Sequence, residues 1–167
     1  MATLEQIGPD NAMQFKAVRL AALRDSPGAF GSTFAKESQY TDAEWSKRAV
    51  EWSSQKSIGY LAIDAENACG IAAAFLHRED LRIACVVSMW VAPGHRRSGI
   101  GRMLIDAINA WGRQCGAVTM RLNVTSNNTT AIEFYKRNGF LMTGNTEPYP
   151  NDPAILEYEM TRPVLAV

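Results

Sequence analysis

The stretch WVAPGHRRSGIGRMLI, Trp90–Ile105, places proline, glycine and arginine between two apolar runs. The first run, Leu81–Ala92, is long and rich in strand-forming residues, which favours a β-strand. The second run, Gly101–Gly116, carries its apolar residues at helical spacing and ends in a glycine, which is typical of a helix. The stretch therefore predicts a strand, a short glycine-bearing loop and a helix in direct succession.

Loops of this kind bind phosphate groups in several protein classes. The P-loop of nucleotide-binding proteins needs a lysine where Ile100 stands, and the dinucleotide fingerprint needs a glycine where Leu104 stands. What remains is Arg-x-x-Gly-x-Gly, from Arg96 to Gly101. Free N–H groups and a partial positive charge at the start of a helix, together with glycines that expose the backbone, fit a pyrophosphate. A plain strand-to-helix turn with solvated arginines also fits the pattern.

Periodicity along the rest of the chain predicts the element order β-α-α-β-β-β-α-β-α-β-β, with helices packed on one mixed sheet. The first helix is predicted over Asp10–Pro27, with Asp10 as its cap. The segment Gly28–Tyr40 has the composition of a loop, and a capping-box pattern starts the second helix at Thr41. Further on, the sequence ENAC, Glu66–Cys69, is interpreted as the turn of a hairpin.

Length and composition exclude several classes of protein. The 167 residues fit one domain, and equal numbers of basic and acidic residues, 17 each, argue against nucleic acid or a membrane surface as a partner. Three cysteines without a Cys-x-x-Cys motif favour a reducing, cytoplasmic location over a disulfide framework. The two histidines are not at ligand spacing, so no metal site is expected. No stretch approaches the ~20 apolar residues that span a bilayer.

A second pattern, Asn-x-x-Ala-x-x-Phe-Tyr-x-x-x-Gly-Phe, occupies Asn128–Phe140 on the next predicted helix. Together the two motifs resemble the GNAT superfamily of acyl-CoA N-acyltransferases, over roughly Leu81–Phe140. The resemblance implies acetyl-CoA as the cofactor and a single domain over residues 1–167 of the α/β (α+β) class. It also implies a mixed, mostly antiparallel sheet of about six or seven strands with about four helices, whose strands splay at the cofactor site.

The resemblance implies that the cofactor is held by two backbone segments. Pantetheine would pair with the end of the strand before the loop, where an N–H group can polarise the thioester carbonyl. The residues matched to that strand end are Met89, Trp90 and Val91. The residues matched to the pyrophosphate loop are Arg96, Arg97, Ser98, Gly99, Ile100, Gly101 and Arg102. Many relatives have glycine where Arg97 stands.

Two side chains on the second motif complete the implied site. Asn128 matches a residue that holds the cofactor, and Tyr135 matches a general acid that protonates the leaving thiolate. From the residues alone, Asn128 equally fits a helix N-cap and Tyr135 a packed aromatic.

The general base and the acceptor pocket lie outside the motifs. Relatives that acetylate protein N-termini carry a glutamate where Asn123 stands, which weakens that substrate class here. Candidate bases that also fit surface or capping roles are Glu37, Asp42, Glu44, His77 and Glu79. The negative charge of the first three also fits attraction of a cationic amine. Aromatic residues that could line an acceptor pocket, or cover the core, are Phe30, Phe34, Trp45 and Tyr149.

The resemblance thus predicts an acetyl-CoA-dependent N-acetyltransferase in which a small-molecule primary amine attacks the thioester directly in a ternary complex. A covalent route through Cys85 is disfavoured because nothing near it obviously lowers its pKa. The alternatives are a protein N-terminal or lysine acetyltransferase, a non-catalytic acyl-CoA sensor, and a nucleotide-binding α/β protein. Dimers are common in the family, and the exposed C-terminal strands could support a homodimer.

Overall fold

The computed structural model describes residues 1–166 and arranges eight strands in one sheet. The strands are β1 (Thr3–Gln6), β2 (Ser53–Ser54), β3 (Ser57–Asp64), β4 (Asn67–Leu76), β5 (Ile83–Val91), β6 (Thr119–Thr125), β7 (Leu141–Tyr149) and β8 (Asp152–Pro163). The α-helices are α1 (Ala12–Asp25), α2 (Phe34–Glu37), α3 (Asp42–Glu51), α4 (Ile100–Gln114) and α5 (Thr129–Arg137). Short 3₁₀ turns occupy Pro9–Asn11, Pro27–Ala29 and Pro93–His95.

The strand order is β1-β3-β4-β5-β6-β8-β7, with β2 beside β3. Neighbouring strands are antiparallel except β5 and β6, which are parallel. Parallel neighbours need a crossover connection, and α4 supplies it. The predicted class, an α/β fold with a mixed, mostly antiparallel sheet, is confirmed. The elements beyond the predicted order are β2 and α2, which are too short to produce a periodic pattern.

Helices pack on both faces of the sheet, so that the central strand β4 is buried on both sides. On one face, Ile71 of β4 lies in a cluster with Phe15 of α1 and Trp45 of α3. On the other face, Ala72 of β4 lies in a cluster with Leu104 of α4. Because side chains alternate across a strand, the uninterrupted apolar run of β4 serves both clusters. Among the described residues, no helix is long and apolar enough to cross a membrane.

The start of α1 differs from the prediction. Asp10 does not cap the helix, because Pro9–Asn11 forms a 3₁₀ turn and α1 begins at Ala12. The side chain of Asn11 instead accepts a hydrogen bond from the N–H of Gly8, at 2.9 Å. The proline ring favours that first turn and delays the helix by two residues.

The segment predicted as a loop between the first two helices contains the one-turn helix α2. Its start is capped by the Thr33 hydroxyl, which accepts a hydrogen bond from the N–H of Lys36 at 3.2 Å. The next helix, α3, follows Thr41 as predicted. The Thr41 hydroxyl accepts from the N–H of Glu44, and the Glu44 carboxylate accepts from the N–H of Thr41, which is a complete capping box.

The hairpin between β3 and β4 is tighter than predicted. Asn67 already belongs to β4 and pairs with Asp64, so the turn consists of Ala65 and Glu66 rather than Glu66–Cys69. Both turn residues have positive φ, +47° and +73°. Positive φ at both positions defines a type I′ turn, which favours asparagine and glycine. The composition of ENAC therefore gave no indication of where this turn lies.

Candidate active site

The two parallel strands in the middle of the sheet separate after three paired positions. The pairs are Ile83–Thr119, Ala84–Met120 and Cys85–Arg121. Beyond them lies a cavity, here called the β5–β6 gap. Its lining residues include Val86–Met89 of β5, Leu122–Thr125 of β6, Asn128, Ala131 and Tyr135 in and before α5, and Glu157 of β8.

A bulge in β5 accompanies the separation. On the β4 side, Ile71 pairs with Trp90 and Ala73 pairs with Val87, so β5 carries one residue more than β4 between these pairs. Ser88, inside the bulge, has φ of +60°. A bulge of this kind bends its strand and strengthens the local twist, which turns β5 away from β6. The splayed strands that the family resemblance implied are therefore present.

Helix α1 holds this bulge through a buried ion network. Arg19 donates a hydrogen bond to the Ser88 hydroxyl at 3.1 Å and two to the carboxylate of Glu37, at 3.0 and 2.9 Å. Arg48 of α3 donates a third to Glu37, at 2.8 Å. Burial disfavours the charged form of Glu37 and by itself would raise its pKa. The hydrogen bonds and charge of Arg19, followed by the hydrogen bond from Arg48, outweigh burial and lower the pKa of Glu37 to about 2. Glu37 is therefore a fixed anion and unsuited to act as a base.

The end of α1 ties down the loop after β5. Asp25 accepts hydrogen bonds from the Trp90 indole N–H at 3.0 Å and from the Arg96 guanidinium at 2.7 Å. Arg96 also donates to the carbonyl of Val91, at 2.9 Å. The side chains of Trp90 and Arg96 thus connect β5 and the loop after it to the end of α1, rather than face a ligand. Because the Ala92 N–H bonds back to β4, alternation along the strand turns the N–H of Val91 toward the open side, while Arg96 holds its carbonyl.

The loop before α4 presents a helix start that no side chain caps. Gly99 is the N-cap, with φ of +87°, and a Cβ there would meet nothing within 4 Å. Arg97 has φ of +62°, a conformation in which glycine would be relaxed. The Ser98 hydroxyl donates to the His95 carbonyl, which fixes the turn. The uncapped N–H groups and the arginine charges fit a pyrophosphate.

Gly101 differs from the prediction that it lets a ligand reach the backbone. A Cβ at Gly101 would lie 2.8 Å from two ring carbons of Phe134 on α5. The absence of a side chain therefore allows α4 to pack closely on α5, and Gly99 is the glycine that remains open to a ligand.

Asn128 and Tyr135 line the β5–β6 gap together. The Asn128 side-chain oxygen accepts a hydrogen bond from the N–H of Ala131 at 3.2 Å, so this residue does cap α5. Tyr135 is 8% exposed, and burial alone raises the pKa of its hydroxyl. A raised pKa keeps the phenol protonated at neutral pH, which suits a proton donor.

A larger cleft of about 630 Å³ adjoins the β5–β6 gap and is here called the acceptor cleft. Both cavities share Val86–Ser88 and Glu157. The wall opposite the sheet is the loop Phe30–Ser32 between α1 and α2. Tyr149 at the end of β7 donates to the Phe30 carbonyl, and Asn151 donates to the same oxygen at 3.0 Å. The turn between the last two strands therefore holds the wall of the cleft in place.

The other predicted acceptor residues have structural positions. Trp45 is fully buried in the core, and Phe34 packs under the guanidinium of Arg24 at 4.5 Å. Tyr149 is buried as the anchor described above. Of the four predicted aromatic residues, only Phe30 lines the acceptor cleft.

Most of the predicted bases are committed elsewhere or lie off the cleft. Asp42 pairs with Lys16 at 2.9 Å, and Glu44 completes the capping box of α3. Glu79 is exposed beside His77, which lines the acceptor cleft. The idea that Glu37, Asp42 and Glu44 attract a cationic amine is therefore not supported, since none of them lines the cleft. Glu157, which does, was not among the candidates.

Cys85 lines the acceptor cleft but is not poised as a nucleophile. Burial raises the pKa of its thiol, although the Arg121 guanidinium lies 3.8 Å away and acts in the opposite direction. The protonated thiol is a poor nucleophile, which agrees with direct transfer. Within residues 1–166 no three His, Cys, Asp or Glu side chains are placed to hold a metal ion together.

A model of the acetyltransferase (GNAT) family matches residues 20–140, and the chain belongs to that family. The predicted family is thereby confirmed. The match includes the splayed strands, the loop before α4 and all of α5.

Individual relatives match over shorter segments. Streptothricin acetyltransferase of Streptomyces lavendulae is 46% identical over 54 residues, which is 32% of this chain and 29% of that protein. The peptidyl-lysine N-acetyltransferase YjaB of Salmonella typhimurium is 38% identical over 69 residues, which is 38% of this chain and 44% of that protein. The matches thus span less than half the length of these curated relatives.

A solved structure matches over almost the whole chain. The PaiA N-acetyltransferase of Thermoplasma acidophilum, in complex with coenzyme A, superimposes with a TM-score of 0.76 at 16% identity. The match covers 98% of this chain and 99% of that one. This likeness establishes the shared fold. The predicted cofactor, acetyl-CoA, is the acetylated form of the coenzyme bound in that structure.

Proposed function

We propose that this protein is an acetyl-CoA-dependent N-acetyltransferase that transfers the acetyl group to a primary amine of a small molecule, by direct attack in a ternary complex. The observation that carries the proposal is that the β5–β6 gap, lined by Tyr135, adjoins the acceptor cleft and shares Val86–Ser88 with it. A thioester in the gap and an amine in the cleft can therefore meet at Val86–Ser88.

The chain offers separate groups to each part of the cofactor. The N–H groups at the start of α4 bind the pyrophosphate, and Gly99 leaves them accessible. The open edge of β5 at Met89 and Val91 pairs with the amides of pantetheine. Asn128 stands at the gap with its side-chain oxygen bound to Ala131, which leaves its N–H₂ group to donate to the cofactor.

Acetyl-CoA supplies the acetyl group in activated form, as a thioester. The amine nitrogen forms a bond to the acetyl carbon, and the carbon–sulfur bond breaks. Tyr135 donates a proton to the departing sulfur. The buried hydroxyl is well suited to this because burial raises its pKa and keeps it protonated.

The wall of the acceptor cleft favours a small acceptor. The Phe30–Ser32 loop covers one side of the cleft and is held there by Tyr149 and Asn151. The cleft volume of about 630 Å³ lies within the range of small-molecule sites. The relative that acts on streptothricin supports this class, and the lysine-acetylating relative keeps a peptide lysine as the second candidate.

Mass spectrometry of a reaction mixture tests the proposal. The protein is incubated with acetyl-CoA and a panel of streptothricin, polyamines, amino acids and lysine peptides. We expect one class of amine to gain an acetyl group, and Tyr135→Phe to lower the rate about 100-fold with coenzyme A affinity unchanged. Tyr40→Phe, which removes a tyrosine hydroxyl in the other core cluster, should leave the rate intact. Tight coenzyme A binding without transfer to any amine would instead favour a non-catalytic acyl-CoA sensor.

A further inference from the structure

We propose that Glu157 is the general base that takes the proton from the acceptor amine. The proposal rests on the function proposed above. Glu157 lines both the β5–β6 gap and the acceptor cleft, and it is the sole carboxylate among the described residues that line either cavity. A base at this junction can contact an amine in the cleft while Tyr135 contacts the sulfur in the gap.

Strand pairing in the sheet fixes the position of Glu157. It lies on β8 between Thr125 of β6 and Glu147 of β7, its cross-strand partners. Glutamates that face each other across strands repel and lower stability, so the pair does not benefit the fold. A local arrangement that costs stability is expected at functional sites.

The neighbouring glutamates form side-chain hydrogen bonds, whereas Glu157 forms none within the part of the chain that the structure describes. Glu147 accepts a hydrogen bond from Asn123 at 2.9 Å. Glu159 accepts one from Asn145 at 3.1 Å and lies 4.0 Å from the Arg121 guanidinium. Within residues 1–166 no side chain donates a hydrogen bond to Glu157 or forms an ion pair with it. Its carboxylate oxygens are therefore available to an incoming amine.

The surroundings make this carboxylate a better base than an exposed one. Burial, and then the negative charge of Glu147, raises the pKa of Glu157. The other titratable or charged groups that line the two cavities are Arg19, which Glu37 neutralises, His77, Arg78, Cys85, Arg121 and Tyr135. Glu159 lies just outside them, 4.0 Å from Arg121. A pKa nearer to the working pH strengthens the pull on the amine proton.

Glu157 and Tyr135 act on different protons of the reaction, Glu157 at the nitrogen and Tyr135 at the sulfur. Glu157 first takes a proton from the alkylammonium, which frees the nitrogen lone pair for attack. As the nitrogen–carbon bond forms and the carbon–sulfur bond breaks, the nitrogen loses its second proton to solvent. Tyr135 gives the proton that the sulfur gains. Exchange with solvent then returns Glu157 to its carboxylate and Tyr135 to its phenol, and no oxidant or reductant is needed.

The kinetic test compares Glu157→Gln with Glu147→Gln. The first should lower kcat about 100-fold for an alkyl amine, with unchanged coenzyme A affinity, and abolish the fall in kcat/KM at acid pH that belongs to the base. The second removes the neighbouring charge and should move that fall to lower pH.

A second comparison uses hydroxylamine, which is largely neutral at neutral pH. Its acetylation rate should fall much less in Glu157→Gln than the rate with the alkyl amine does. An equal loss with both amines would show a structural role and overturn the assignment.

A carbon-13 NMR titration of the glutamate carboxyls tests the same residue without turnover. The Glu157 resonance, identified by its absence in Glu157→Gln, should titrate above an ordinary glutamate and move down in Glu147→Gln. A pKa of Glu157 at or below that of an ordinary glutamate overturns the assignment.

If the wild type acetylates an amine and Glu157→Gln does so equally fast, Glu157 is not the base and the proposed function stands. If the wild type acetylates no amine, the proposed function fails, and the role of Glu157 fails with it.

Discussion

Gly99 and Gly101 stand two residues apart in one motif, yet they serve different purposes. Gly99 has positive φ and open space around it, whereas Gly101 faces the ring of Phe134. A sequence motif shows only that glycine is present. The reason for each glycine depends on the backbone angle and on a side chain 33 positions further along the chain.

Alanine substitutions separate the two roles. Gly101→Ala should lower the free energy of unfolding by about 1–3 kcal/mol because its Cβ overlaps Phe134, and Phe134→Leu should recover part of that loss. Gly99→Ala meets no neighbour and should cost about 1 kcal/mol from its backbone angle, while weakening coenzyme A binding. Urea unfolding and calorimetric titration measure both effects. Equal stability of wild type and Gly101→Ala would refute the packing role.

At the scale of secondary structure, the hairpin between β3 and β4 carries residues that its turn disfavours. Ala65 and Glu66 both adopt positive φ. Replacing them with Asn-Gly should raise the free energy of unfolding by roughly 0.5–1 kcal/mol, because that pair fits a type I′ turn. Thermal unfolding measures the gain, and a lower melting temperature would contradict the turn assignment.

Long periodic elements could be predicted from sequence, and irregular ones could not. The helix after the glycine loop and the strands around it follow from apolar spacing alone. The bulge at Ser88 could not be predicted, because it depends on the register between β4 and β5. The sequence pattern indicates Glu157 only weakly, because alternation along the last strand places Glu157 and Glu159 on one face without distinguishing them. Only the sheet order shows that this face lines the cleft.

At the scale of the whole molecule, Glu37 connects two helices to the site. It holds Arg19 and Arg48, and Arg19 holds the bulge at Ser88. A single residue at the end of α2 therefore links the packing of α1 and α3 to the opening of the β5–β6 gap. The sequence shows the charges, but their pairing depends on the folded contacts.

The network predicts a stability that depends on pH. The pKa of Glu37 is lowered from 4.5 to about 2, so its contribution is fully present above about pH 4.5 and declines as the pH falls toward 2. Glu37→Gln should lower the free energy of unfolding at neutral pH by about 3 kcal/mol, because two arginines lose their partner. The difference between wild type and variant should shrink at acid pH. Denaturant unfolding across that range measures it, and a constant difference would refute the charged network.

The most direct test of the account is a crystal structure of the protein with coenzyme A. We predict pantetheine between β5 and β6, the pyrophosphate at the start of α4, and the sulfur within about 3.5 Å of the Tyr135 hydroxyl. Glu157 should then face the sulfur from the cleft side. Coenzyme A bound outside the β5–β6 gap, or with its sulfur remote from Tyr135, would contradict the proposed site and the mechanism built on it.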